Sequence, residues 1–250
     1  MAFISPKQQQ MLERDQAILD AARSLVLEQG YYGITMDSIA KASGCPKGTL
    51  YHRFASKEDI LVALAAESLQ RRNAMMERGA AFEGRTRERF LAMAEGISLY
   101  SRLHPEESQI VHNTLGPVRE KASPIRLDVL LEAEREALRI ARDILRAAVS
   151  AGDLEPEHDE SIEEIALGSW GLLEGGFTLI ESGMAHLALK VDNPLHKVWR
   201  YFNRAVDAYG WQPLFGDWDY EKSLATIRQE IFPVEAEQLY GEGNWYGDRF

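Results

Sequence analysis

Apolar residues recur along most of the chain at intervals of three and four, the spacing that places side chains on one face of an α-helix. No stretch shows the sustained alternation of a half-buried strand. Ile18, Ala21, Ala22, Leu25 and Val26 mark an amphipathic helix between about Gln10 and Gln29, with Gly30 as its C-terminal stop. Between Thr35 and Asp59 the pattern shortens. Met36, Ile39 and Ala40 give one short helix an inward face, and Gly44 supplies the backbone freedom that its end requires. Leu50 and Phe54, four apart, give a second short helix its buried stripe, and Pro46 suits the first turn, where its missing N–H is no loss. Thr35 and Ser56 stand at capping positions. Glu58 and Asp59 then fall in the first turn of a fourth helix, which reaches about Arg78.

Further on, Phe90, Leu91, Ala94, Ile97 and Leu99 predict a helix over 84–104, broken by His104-Pro105. A short helix to Leu115 and a long one from Pro124 to Ser150 follow. The next two span 159–182 and 194–209, and 211–233 reads as a turn and one more helix ended by Pro233. The tail from Gly241 to Phe250 suggests no role. The fold class is therefore all-α, with a three-helix helix-turn-helix domain at residues 1–60 and a larger helical domain at 61–250.

Two late helices carry unusual patterns. Glycines 168, 171, 175 and 176 fall near one face of the first. Glycine costs about 1 kcal/mol in a helix interior, so this run implies the close approach of another helix or room for a ligand. In the second, Asn193 and Pro194 open a stripe of Leu195, Val198, Trp199, Phe202, Ala205, Val206 and Tyr209. Two such faces suit a four-helix interface between copies of the chain or, alternatively, an internal core. On the interface reading, Gly168, Gly171, Gly175, Leu195, Val198, Trp199, Phe202 and Val206 meet the second copy.

Charge sharpens the picture of the short helices. The chain carries a formal net charge of −11, yet residues 1–60 hold seven basic and seven acidic residues, so the excess acid lies beyond them. Lys41, Lys47, Arg53 and Lys57 follow one another with no acid between. A local basic patch on an acidic chain points to a polyanion held at one face. The second short helix turns Lys47, Gly48, Thr49, Tyr51, His52 and Arg53 outward, the surface of a recognition element.

Other chemistry finds little support. One cysteine, Cys45, leaves no disulfide and no CxxC pair. The six histidines form no His-x-x-x-His pair, and neither a G-x-S-x-G elbow nor a phosphate loop after a strand occurs, so no metal, cofactor or enzymatic activity is expected. No run approaches the ~18 apolar residues of a membrane span, and the N-terminus lacks an apolar signal core, which predicts a cytoplasmic protein without membrane partners. Glu174, the lone charge between Ile165 and Ile180, reads as a pocket carboxylate or as a partner of Arg200 or Arg204.

The run from Ile18 to Leu61 resembles the DNA-binding domain of the TetR family of transcriptional regulators. The likeness rests on the ILDAA opening, the GYYGIT link, DSIAKASG, and GTLYHRF followed by SKEDIL. It covers about the first quarter of the chain, and Pro46 stands where many members carry a capping Ser. The resemblance implies a homodimeric, ligand-responsive repressor that releases a palindromic double-stranded DNA operator when a small molecule binds the C-terminal domain, which also dimerises. On this reading Lys47, Thr49 and His52 read base edges, Thr35, Tyr51 and Lys57 hold phosphates, and Gly48 lets the backbone come close. The effector pocket would be lined by Phe90, Met93, Ile97, Tyr100, His112, Trp170, Glu174 and Phe177. The alternative is an activator, or a regulator controlled by a protein partner.

Overall fold

A computed structural model describes residues 5–114, 116–156 and 161–247. The first four residues, Leu115, the stretch 157–160 with His158 and Asp159, and the last three tail residues lie outside the described residues, as do the side chains of Lys7, Ala185 and His186. The described residues form helices and turns, with no strand.

The first four helices are α1 (Pro6–Gly33), α2 (Met36–Ser43), α3 (Lys47–Arg53) and α4 (Lys57–Ala80). Next come α5 (Thr86–Leu103), α6 (Pro105–Asn113), α7 (Pro117–Lys121) and α8 (Pro124–Ala151). The remainder are α9 (Ile162–Glu181), α10 (Met184–Leu187), α11 (Pro194–Ala208), α12 (Tyr220–Glu230) and α13 (Pro233–Tyr240). Gly30 interrupts α1 with φ 70° and ψ 170°, so the expected stop is a kink and helical turns resume to Gly33. Pro233 opens α13 instead of only closing α12. A proline has no N–H to lose in a first turn, so it starts a helix as readily as it ends one.

The chain divides into two compact units. The first comprises Met1–Arg71 and Glu106–Glu134, the second Arg72–Pro105 and Arg135–Phe250. A single cut at residue 60 therefore does not describe the packing, because α6, α7 and the start of α8 join the N-terminal helices. The core of the first unit gathers Ile18, Ala22, Ile34, Ile39, Leu50, Phe54, Ile60 and Leu64 with Ile110, Val118 and Leu130.

In the second unit, Phe90 of α5 stacks on Phe202 of α11 at 5.8 Å and lies 5.0 Å from the ring of Trp211. Trp199, Phe202 and Val206 are each only 2% exposed within this core, and Leu195 and Val198 pack against it. Trp199, Phe202 and Val206 are therefore covered by the subunit's own residues, whereas Leu195 and Val198 are only partly buried. Gly176 explains part of the fit, since a Cβ there would lie 2.7 Å from the Val198 side chain. The segment after α11 is also core: Trp211, Tyr220, Leu224, Ile227 and Phe232 are buried with it. Arg87 of α5 fastens this segment by donating to the carbonyls of Asn203, Trp211 and Pro213 at 2.6–2.8 Å.

Candidate nucleic-acid interface

Local chemistry builds α2 and α3. The Thr35 side chain accepts from Ser38 N, and Ser38 Oγ in turn accepts from Thr35 N at 2.9 Å, closing a capping box. Gly44 ends α2 in the left-handed region at φ 66°, where a side chain would be strained. Pro46 occupies the N-cap of α3 without a capping hydrogen bond, and the Phe54 N–H closes the helix on the Leu50 carbonyl. Ile39, Leu50 and Phe54 face the core.

Lys47, Gly48, Tyr51 and His52 are consequently exposed on α3, with Thr49 half-buried and Thr35 exposed at the start of α2. A Cβ on Gly48 would meet nothing within 4 Å, so this part of the helix is open to a close neighbour. Lys47 Nζ lies 2.6 Å from Asp37 Oδ2 with both side chains exposed, a pairing that the basic run did not suggest.

Two members of that run are turned to internal use. Arg53 is bound to Asp15 of α1, with Nε 2.7 Å from Oδ1, and is half-buried. Lys57 donates from Nζ to the carbonyls of Tyr31 and Ile34, each at 3.3 Å, and lies 4.5 Å over the Tyr31 ring. The Tyr31 hydroxyl donates to Glu58, and burial followed by that hydrogen bond pushes its pKa above the ordinary phenol value. Lys57 thus anchors the end of α1 to the start of α4, its ammonium neutralising helix-end carbonyls.

The second unit contains a small cavity of about 40 Å³ that brings together Phe90, Met93, Ile97 and Trp170 of the expected pocket. Arg72, Met76, Ala137, Leu138, Ala141, Ala166, Ser169 and Leu173 complete its wall. The remaining expected residues do not join it. Tyr100 lies against the His104 ring, and His112 belongs to the first unit. Glu174 accepts from Trp170 Nε1 at 3.3 Å, and Phe177 lines a separate open hollow with Leu195 and His196. Ser169 Oγ is buried without a hydrogen-bond partner. Among the described residues, no group of three His, Cys, Asp or Glu side chains could hold a metal ion.

The glycines of α9 differ in what surrounds them. Gly168 and Gly176 face α11, where a Cβ would lie 2.9 Å from the Tyr209 hydroxyl and 2.7 Å from Val198 respectively, whereas Gly171 and Gly175 have nothing within 4 Å. That open side also carries exposed Leu167 and Leu179, and Tyr201 of α11 is exposed as well.

Capped α2, the left-handed turn at Gly44 and the outward residues of α3 define the first unit as a helix-turn-helix domain. Residues 18–64 match the family described as "Bacterial regulatory proteins, tetR family". The chain is 39% identical over 56 residues to "HTH-type transcriptional repressor AcnR" of Corynebacterium glutamicum, covering 22% of this chain and 30% of that protein. It is 42% identical over 52 residues to "Fatty acid metabolism regulator protein" of Bacillus subtilis, covering 21% and 27% respectively. The matched segment thus spans less than a third of either relative. The first of these is named as a transcriptional repressor and the second as a regulator. Over 78% of the chain the fold is similar to 96% of a crystal structure of a bacterial regulatory protein in the tetR family from Rhodococcus RHA1, with a TM-score of 0.58 and 19% identity. No helix among the described residues is long and apolar enough to cross a membrane.

Proposed function

We propose that this protein is a cytoplasmic, homodimeric transcriptional repressor that binds a palindromic operator through α3 and releases it when a small molecule enters the second unit. The observation that carries the reading is the outward face of α3. Lys47, Thr49 and His52 would read base edges in the major groove, Thr35 and Tyr51 would hold phosphates, and Gly48 would let the backbone approach. The division of labour follows the two compact units, with DNA binding in the first and effector binding and dimerisation in the second.

The apolar cavity supports the effector part. Its volume is well below the roughly 300–1,000 Å³ of a typical ligand pocket, so the DNA-competent state would hold it contracted. Met76 and Met93 are flexible wall residues suited to opening it. An effector acts only if it binds the expanded, DNA-incompetent state more tightly. Exposed Leu167, Gly171, Gly175 and Leu179 on α9 support self-association through that face. A second reading, control by a protein partner, is favoured by Leu187 and Leu189 near α10, which are 82% and 61% exposed.

The test is fluorescence anisotropy of the full chain with its own upstream DNA across a salt series, alongside Lys47→Ala and Tyr51→Phe. Tight, selective binding weakened by both substitutions supports the reading. Weak, sequence-indifferent binding that is equal in all three proteins refutes it for that DNA.

A further inference from the structure

The recognition helix has a support that lies outside the matched segment. Arg126, in the first turn of α8, donates from Nη2 to the backbone carbonyl of Arg53 at 3.1 Å, and its guanidinium carbon lies 4.4 Å over the ring of Phe54. Arg53 is the last residue of α3 and Phe54 its C-cap. A cation at this end meets the negative pole of the helix and an unsatisfied carbonyl at once. The ring beneath adds a cation–π contact. Three residues earlier, the Ser123 N–H donates to Asp59 Oδ1 at 2.6 Å, while Asp59 Oδ2 accepts from the Ala55 N–H at 3.1 Å. Asp59 is buried, so this carboxylate joins the link after α3 to the link before α8.

These contacts have a specific mechanical meaning. A seven-residue helix is marginal alone, so its placement depends on what holds its two ends. The N-terminal end is held by the turn from α2. The C-terminal end is held by Arg53 to Asp15 on one side and by Arg126 with Asp59 on the other. Base-edge readout requires the outward side chains to be placed to within a fraction of an ångström, whereas phosphate attraction tolerates looser placement. We infer that Arg126 is a positioning residue for operator recognition: it fixes the C-terminal end of α3 and so sets sequence selectivity without itself touching DNA. This inference rests on the proposed DNA-binding function of α3.

The experiment uses the full chain and two duplexes, one selected from a random library by the wild-type protein and one with that sequence scrambled. Arg126→Met removes the charge and the donor but keeps an apolar stem over Phe54. The expected result is a loss of about tenfold in affinity for the selected duplex, the scale of one charged hydrogen bond. Affinity for the scrambled duplex and the slope of log K against log salt should stay as in wild type. Arg126→Lys, which keeps the charge, should show the same split at a smaller size and provides the test if the methionine variant does not fold.

Three results would overturn the inference. If both variants bind both duplexes as wild type does, Arg126 has only a structural role. If affinity falls for both duplexes and the salt slope drops by about 0.9, the loss of one phosphate contact, Arg126 touches DNA directly. If the wild-type protein selects no sequence at all, the reading of α3 fails and takes this inference with it.

Discussion

Lys47 Nζ lies 2.6 Å from Asp37 Oδ2, which joins the first turn of α3 to the first turn of α2 on the exposed side of the helix-turn-helix. Exposed pairs of this kind contribute about 0–1 kcal/mol to stability, so the pair does little for the fold. Its effect should be on DNA, because a carboxylate beside a DNA-facing lysine opposes the polyanion and occupies the ammonium. Asp37→Asn is expected to leave the unfolding midpoint nearly unchanged and to tighten binding to any duplex about three- to tenfold. The salt slope should steepen by up to about one as Lys47 becomes available for counterion release. A salt titration by anisotropy checks this, and unchanged binding would place Lys47 off the DNA face.

The Arg228–Glu95 pair presents the opposite case. Arg228 Nε donates to Glu95 Oε1 at 2.7 Å with the side chains 1% and 0% exposed, and its other nitrogens reach the carbonyls of Trp245 and Tyr246 and the Tyr240 hydroxyl. Removing one partner of a buried pair leaves a desolvated charge uncompensated, at a cost of about 3–5 kcal/mol. Glu95→Ala should lower stability by that amount in urea unfolding. Replacing both partners by apolar residues should recover most of the loss.

How much of this could be read from the sequence depends on how local each signal was. The boundaries of α2, α3 and α4 were legible because Thr35, Gly44, Leu50, Phe54 and Ser56 act over three or four residues. The work of Lys57 and Arg53 was not, because their partners Tyr31, Ile34 and Asp15 come from α1 and the link after it. The stripe of Trp199, Phe202 and Val206 was visible, but periodicity shows that a face is buried without showing what buries it. Phe90 and Trp211, from distant parts of the chain, cover it here. The pocket lining came from the family resemblance and not from periodicity, so it shares only Phe90, Met93, Ile97 and Trp170 with the cavity and does not include Ser169. A small hydroxyl between apolar neighbours carries no sequence signal until its missing partner is seen.

The segment from Trp211 onward should be indispensable to the second unit. Trp211 is fully buried, its Nε1 donates to Thr86 Oγ1 at 3.1 Å, and Phe232 is also wholly enclosed. Truncation after Gly210 would expose Phe90, Phe202 and the start of α5 together. The expected product loses cooperative unfolding of the second unit and gains binding of an apolar dye. Trp211→Ala alone should cost about 3–5 kcal/mol. A truncated chain that unfolds at the wild-type denaturant midpoint would show that this segment merely decorates the core.

Two classes of glycine should respond in opposite ways to an added methyl group. A Cβ on Gly79 would lie 2.3 Å from the carbonyl oxygen of Ala92, in the close crossing of α4 and α5. Backbone cannot yield as a side-chain tip can, so Gly79→Ala should cost about 1–3 kcal/mol. Gly171 has nothing within 4 Å, and alanine in a helix interior is favoured over glycine by about 0.5–1 kcal/mol. In a single chain Gly171→Ala should therefore be neutral or stabilising. The result changes if a second copy packs on that face, because small residues there would be needed for two helices to approach. Gly171→Leu then separates the cases by sedimentation velocity. If the open side of α9 is the self-association surface, the variant shifts strongly toward monomer while its far-ultraviolet helical signal is retained. An unchanged dimer would move that surface elsewhere on the second unit, and a wild-type monomer at micromolar concentration would remove the homodimer from the proposed function.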